Sequence, residues 1–370
     1  MIPSLLQRAP EDERNRCVSA QTVDEIKRAG LIRVLKPARW GGYELSPSVM
    51  ADISMTLAGG DMCVAWIYGL YANHSYHLAF YPDQAQEDVW SGQEDPIIAS
   101  SYSPAGQATT VAGGYQLSGR WKFSSGSAYA DWFLLSSKVA DQPNEVICFL
   151  VPREDCRIID TWHVTGLKST GSNDIAVENI FVPGHRLLRF SDLFRGTSPG
   201  TNPGPLYKLT PIQIFYRVIT MPMIGALEAM ANEFIATGTN RANSSGAIAK
   251  NPDALLALGQ AISAVEEMKL VQRQTFETLL DKVSRGEPAS ISERLRYRYQ
   301  SSLVAETCLM NAKALFEAAG GSALMEEATS LGRTYRNLIA ARQHIGSQFR
   351  KYARSVAADC FGDELNDVML

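Results

Sequence analysis

Cysteine and histidine are scarce in this 370-residue chain, and their placement excludes several chemistries at the outset. The six cysteines, Cys17, Cys63, Cys148, Cys156, Cys308 and Cys360, are scattered and form no C-x-x-C pair. That spacing argues against structural zinc and against a disulfide framework. Reduced thiols, and with them a cytoplasmic setting, are the expectation. Charge of one sign is also lacking: the net charge is -4, and no basic stretch is interleaved with aromatics, so no nucleic-acid partner is expected. No window approaches 18 uninterrupted apolar residues, and MIPSLLQRAPEDERNRC at the start holds no long apolar stretch. Neither a membrane span nor a secretory signal is therefore expected. No G-x-G-x-x-G follows a strand and opens a helix, which leaves no apparent nicotinamide site.

What is present is 45% hydrophobic residues, enough for a large core, arranged in regions of different period. Residues 1–95 read mainly as helix. Val23, Ile26, Leu31 and Val34 fall at helical spacing around Gly30. From Asp61 the run MCVAWIYGLYANHSYHLAFY is apolar nearly all round, the mark of a buried helix. Residues 96–190 change to six short runs rich in Val, Ile, Phe, Trp and Tyr, punctuated at 112–114 and 142–144. These predict a compact β-barrel or sandwich. Residues 191–208 are rich in Gly and Pro and read as a linker or surface loop. From 209 to 370 the helical period returns, with helices expected at 211–238, 252–284, 291–320 and 330–360, which together would make a four-helix bundle. The expected class is α+β: a helical N-terminal domain, a central β-domain and a C-terminal bundle.

Several strings carry candidate chemistry. GLKSTGSNDIAVENIFVP (166–183) fails as a phosphate loop, since Ser172 follows Gly171 where lysine is required. In RWKFSSGSAYADW (120–132), Ser124 and Ser125 are either a plain turn or a ligand contact. In PIIASSYSPAGQA (96–108), Ser100 and Ser101 are either surface serines or ligand contacts. The five histidines are His74, His77, His163, His185 and His344. His74 and His77 stand three apart on the apolar helix and could pair on a metal, but no third ligand is near, so no metal is expected. A histidine on a buried helix calls for a hydrogen-bond partner or a task. His163 and His185 read as structural or solvated. Trp66, Tyr71 and Phe215 are either pocket lining or core.

Taken together, from WGGYEL (40–45) to ARQH (341–344), these strings resemble the acyl-CoA dehydrogenase-fold flavoproteins. The resemblance implies that the segment around Trp121, Phe123, Ser124 and Ser125 runs past a flavin ring. It places the Ser125 hydroxyl against flavin N5, where a hydroxyl can serve either redox state of the ring. Ser100 and Ser101 would lie by the flavin edge or the substrate. Dehydrogenases of this fold need a carboxylate to take the substrate α-proton. Both positions that supply it in the family lack one here. One falls on or beside Ile345, next to His344 and after Arg336-Asn337; the other falls in TPIQIFYRVITMPMIG (210–225).

The chain is therefore most similar to the oxygenase components of two-component flavin-dependent monooxygenases, such as those acting on hydroxyphenylacetate, hydroxylated steroid rings, indole and indoleacetate. What this implies is reduced flavin supplied by a separate flavin reductase, O2 as co-substrate, a flavin C4a-hydroperoxide as oxygen donor, and a small phenolic or indolic substrate. His74, His344, Ser125 and Ser100 would be catalytic, with one histidine as base, and Trp66, Tyr71 and Phe215 would line the substrate side. The Arg-x-Gln-Phe-Gly motif that meets FAD in the dehydrogenases reads RANSSG (241–246) here. Arg241 persists without the Gln-Phe pair, which favours FMN over FAD. A homotetramer is implied by the resemblance. The rival readings are an acyl-CoA dehydrogenase or oxidase with a displaced base, an oxygenase acting on nitrogen or sulfur, and a helical scaffold without cofactor.

Overall fold

The computed structural model describes all residues except 93–94, 196, 210, 239–241, 244–245, 327–328 and 364–370. The chain opens with α1 (Ile2–Asn15), α2 (Ala20–Arg28), α3 (Pro47–Ala58), α4 (Met62–Leu78) and α5 (Asp83–Trp90). Asp61 caps α4 by accepting from the Cys63 amide at 2.7 Å, and all seventeen residues of α4 are buried. A helix apolar on every side has no solvent face to offer, and α4 accordingly runs through the middle of the molecule, between α3, β1 and the later helices.

Next comes a seven-stranded mixed sheet: β1 (Ile98–Val111), β2 (Gly114–Ser124), β3 (Trp132–Val139), β4 (Gln142–Pro152), β5 (Arg157–Ile159), β6 (Asn173–Pro183) and β7 (Leu187–Arg189), in the order β5-β6-β2-β1-β3-β4-β7. Among the described residues no pairing joins β5 to β7, so the sheet is open at both edges rather than a closed barrel. The turn expected at 142–144 lies at Ala140 and Asp141 instead, and β4 starts at Gln142. CRIIDTWHV supplies only the three residues of β5. The Asn173 side chain takes the amides of Thr161 and Trp162 at 3.0 and 3.1 Å, which bends the chain out of the sheet.

Two irregularities position the site. β1 loses its register with β3 between Ser101 and Gly106, and β2 loses its register with β6 between Trp121 and Ser124. Such bulges re-aim side chains. Phe123 marks the second one with a φ of +65°, a left-handed backbone that few non-glycine residues adopt.

After the sheet come α6 (Phe190–Arg195), α7 (Pro211–Val218), α8 (Met221–Gly238), α9 (Pro252–Ser284), α10 (Ile291–Ala319), α11 (Leu331–Arg342) and α12 (Phe349–Cys360). α10 is the central rod and packs on α8, α9, α11 and α12. Two of the expected long helices are broken. Residues 211–238, long and apolar enough by composition to cross a membrane, break at 219–220 and are mostly buried against the other helices. Residues 330–360 break at 343–348. The segment 191–208 is no free linker: Ser198 and Asn202 bond the Phe80 and Ala79 carbonyls at 2.8 and 2.6 Å.

Candidate active site

One cavity of about 1170 Å³ opens where α4, both strand irregularities, the 162–172 loop, α7, α10 and the 343–348 turn converge. Of the residues singled out in the sequence, Trp66, His74, Ser100, Ser101, Phe123, Ser125, Phe215 and His344 line it.

His74 is 1% exposed. Its Nδ1 lies 2.7 Å from the Ile98 carbonyl, which can only accept, so the proton sits on Nδ1. Its Nε2 then accepts from the Ser100 hydroxyl at 2.8 Å. Burial pushes the ring's pKa down to about 4, below the value near 6.5 that an unperturbed ring has. His74 is thus a neutral acceptor at physiological pH, with Ser100 between it and the cavity.

His344 is wired the opposite way. The helix break makes it the cap of the 343–348 turn, and its Nδ1 accepts the Gly346 amide at 3.0 Å. A neutral ring so held carries its proton on Nε2. Its pKa is also pushed down to about 4, by burial and then by Arg298. Trp66 meets it edge-on at 5.8 Å.

Ser125 belongs to a chain of hydroxyls. Trp66 Nε1 donates to it at 3.3 Å, Ser172 lies 2.7 Å away, and Thr170 is 2.7 Å beyond Ser172. The turn after Ser125 is set by Gly126, at φ +70°, whose carbonyl accepts from Tyr71 Oη at 2.8 Å. The 166–172 loop is pinned to α11. Leu167 N donates to Asn337 Oδ1 at 2.7 Å, and a Cβ on Gly166 would stand 2.0 Å from the Arg336 carbonyl oxygen.

Three expected contacts fall elsewhere. Trp121 is fully buried inside the sheet and donates to the Ser136 carbonyl at 2.6 Å. It would share a face with Phe123 in a regular strand, but the register break turns Phe123 toward the cavity and leaves Trp121 in the core. Ser124 is fully buried and off the cavity wall. Tyr71 is likewise buried off the wall and acts on the site only through Gly126. Arg241 lies outside the described residues. His163 and His185 are not on the wall; His185 bonds Asp88 at 2.8 Å.

Sequence reasoning missed Tyr102, Trp162, Ser172, Gln343 and Arg294, all on the wall. For Tyr102 the signal was available, because it is two residues from Ser100 on one strand and so shares its face. Arg294 comes from the start of α10, with its basicity lowered by burial. The positions where a dehydrogenase would carry its carboxylate present Phe215, Tyr216, Ile219, His344 and Ile345. The carboxylate on the wall is Glu145, 3.6 Å from Arg189. β4 places Leu150 opposite Leu134, itself opposite Ser100. Glu145 is five residues further along that strand, roughly 17 Å away.

The His74 protonation has a measurable consequence. The unfolded ring takes up a proton near pH 6.5, whereas the folded ring refuses it until about 4. Stability from this group is therefore full above pH 6.5 and is lost as pH falls toward 4, by about 2 kcal/mol between pH 7 and 5. Asp61, pushed up to about 6 by burial, works in the opposite sense and loses stability as pH rises through 6. Comparison with His74→Gln cancels the Asp61 contribution. Urea titrations at pH 7 and 5 should show the larger loss in the unmodified protein; equal losses would contradict this assignment.

Comparison with known proteins agrees with this geometry. Residues 217–349 match the acyl-CoA dehydrogenase, C-terminal domain family. The oxygenase subunit HsaA of a flavin-dependent monooxygenase from Rhodococcus jostii is 32% identical, over 100% of this chain and 98% of that protein. The oxygenase component of FADH(2)-dependent resorcinol hydroxylase from a Rhizobium species is 28% identical, over 96% and 91%. The crystal structure of 3-HSA hydroxylase from Rhodococcus sp. RHA1 superposes with a TM-score of 0.96 at 31% identity, covering 100% of this chain and 97% of that one. With the dehydrogenase carboxylate absent from both of its positions and a serine–histidine pair on the cavity wall, the chain belongs to the oxygenase components of the two-component flavin-dependent monooxygenases, within the acyl-CoA dehydrogenase-like superfamily.

Proposed function

We propose that this chain hydroxylates a small phenolic or indolic substrate with O2 and reduced flavin delivered by a separate flavin reductase. The observation that carries the reading is the Ser100–His74 pair. It is a neutral acceptor behind a hydroxyl, on the wall of a cavity whose carboxylate stands far off.

The residues present fit a flavin. The cavity is larger than one small aromatic fills. Phe123, on its wall, leaves 67% of its surface uncovered at a costly backbone angle, a ring surface suited to a flat apolar partner. Phe123, Trp162 and Ser125 would hold the flavin, which supplies activation of O2 and the oxygen atom. The remaining steps belong to side chains. The substrate hydroxyl or N–H donates to Ser100 Oγ. As the ring carbon is attacked, the proton moves through Ser100 to His74 Nε2, leaving electron density on the ring. His74 is the base in this reading, because Nδ1 of His344 is occupied and Nε2–H makes that ring a donor. Trp66, Leu70, Phe215 and Ile219 exclude water, which strengthens these hydrogen bonds.

Reduced FMN is the proposed form, on the loss of the Gln-Phe pair after Arg241. The domains proposed are 1–95, 96–190 and 209–370, with 191–208 between them, in a cytoplasmic homotetramer. The test is product analysis with a flavin reductase, NADH, FMN or FAD, and a panel of phenols and indoles. A hydroxylated product is expected. A tightly held oxidised FAD bleached by an acyl-CoA, with no hydroxylation, would overturn the reading.

A further inference from the structure

The reaction as described gives no role to His77, a buried titratable group beside the cavity wall. His77 lies one turn after His74 on α4 and is 2% exposed. Its Nδ1 is in hydrogen-bond contact with Tyr102 Oη. The Asn73 side-chain amide lies 3.4 Å from Nε2, and its buried oxygen has no other partner among the described residues. With that oxygen turned to the ring it accepts Nε2–H, and Nδ1 is left to accept the Tyr102 hydroxyl proton. Phe215 packs edge-on against Tyr102 at 5.3 Å, and Phe190 closes its other side at 6.1 Å, so the phenol ring of Tyr102 is fixed. The pair repeats the logic of Ser100 and His74: a cavity-lining hydroxyl backed by a neutral buried imidazole.

Ser100 and Tyr102 stand two apart on β1, and both line the cavity. Each hydroxyl hydrogen is turned back to its own histidine. Two hydroxyl oxygens on one wall then present only lone pairs to the cavity, an arrangement that stays unsatisfied until a ligand brings donors.

We propose that Tyr102, oriented by His77, is a second substrate-binding group, and that Ser100 and Tyr102 together select aromatic substrates carrying two hydrogen-bond donors on one edge, the dihydroxybenzenes. The inference rests on the phenol-hydroxylase reading above. One substrate hydroxyl engages Ser100 and enters the proton path to His74. The other engages Tyr102, and His77 acts only as a positioning residue.

The experiment compares kcat/KM for resorcinol and for 3-methoxyphenol, which lacks one donor, with reductase-supplied flavin. The unmodified protein should prefer resorcinol by about tenfold or more, since a site built for a hydroxyl rejects the analogue lacking it. Tyr102→Phe should level that ratio, with the change in KM. His77→Leu should move it the same way, and His77→Gln, which can still accept, should restore part of it. A ratio unchanged in both Tyr102→Phe and His77→Leu overturns this inference alone. No hydroxylation of either compound, or of phenol, by the unmodified protein overturns it together with the reading it rests on.

Discussion

His74→Gln is expected to lower hydroxylation turnover by about 10²–10⁴-fold, while reduced flavin continues to consume O2. The substitution separates two roles. Glutamine nearly preserves the volume on a helix where every position is buried, and its amide can still reach Ile98 and Ser100. It cannot take a proton. If His74 only oriented Ser100, turnover would survive; if it is the base, product falls and O2 consumption becomes uncoupled from it. The depressed pKa, about 4, sharpens the expectation. The ring is a neutral acceptor at every pH above about 5, so the rate should show no titration near 6.5, where an unperturbed histidine would give one. Product yield against O2 uptake measures this. Full, coupled turnover in His74→Gln would remove the residue from the proton path.

Arg298→Ala is expected to cost about 3 kcal/mol of stability and about 10²-fold in hydroxylation, although Arg298 does not line the cavity. Its guanidinium is 3% exposed and sits between the Tyr216 and Tyr352 rings, 3.3 and 4.1 Å from their centroids. Its Nη1 donates to the Gly346 carbonyl at 2.8 Å. Burying the charge is unfavourable, and a neutral replacement relieves that cost. Two losses outweigh the relief. A desolvated cation between two aromatic faces contributes about 2 kcal/mol or more, and the Gly346 carbonyl loses a charged donor. The same peptide segment donates its amide to His344 Nδ1, so the turn that aims His344 loosens with it. Lysine can reach the carbonyl but cannot stack flat against both rings, so Arg298→Lys should recover part of the activity. Urea titration and product yield report the two effects. A variant with normal stability and normal turnover would show that the 343–348 turn holds itself.

Much of this site was legible in the sequence, for identifiable reasons. The apolar helix from Asp61 had no side to present to water, and the structure buries all of it. The two histidines and the serines at 100 and 125 were identified through the resemblance, and the structure brings all four to one cavity. What escaped were effects of register and of breaks. Strand alternation alone puts Trp121 and Phe123 on one face, and only the ladder slip between Trp121 and Ser124 separates them. A single periodic run covers 330–360, yet the chain leaves the helix at Gln343 so that His344 can cap the next turn. Arg298 was not singled out in the sequence. Its burial depends on α7 and α12 folding over α10, a tertiary placement that no local period encodes.

The proposed function requires that the cavity transfer an oxygen atom from O2 to an aromatic ring. The most direct measurement is the phenol assay run under ¹⁸O2, with a flavin reductase and the product mass recorded. One ¹⁸O atom is expected in each new hydroxyl, with that product lost in His74→Gln. A product that takes its oxygen from water, or no labelled product alongside reduction of bound flavin by an acyl-CoA, would contradict it.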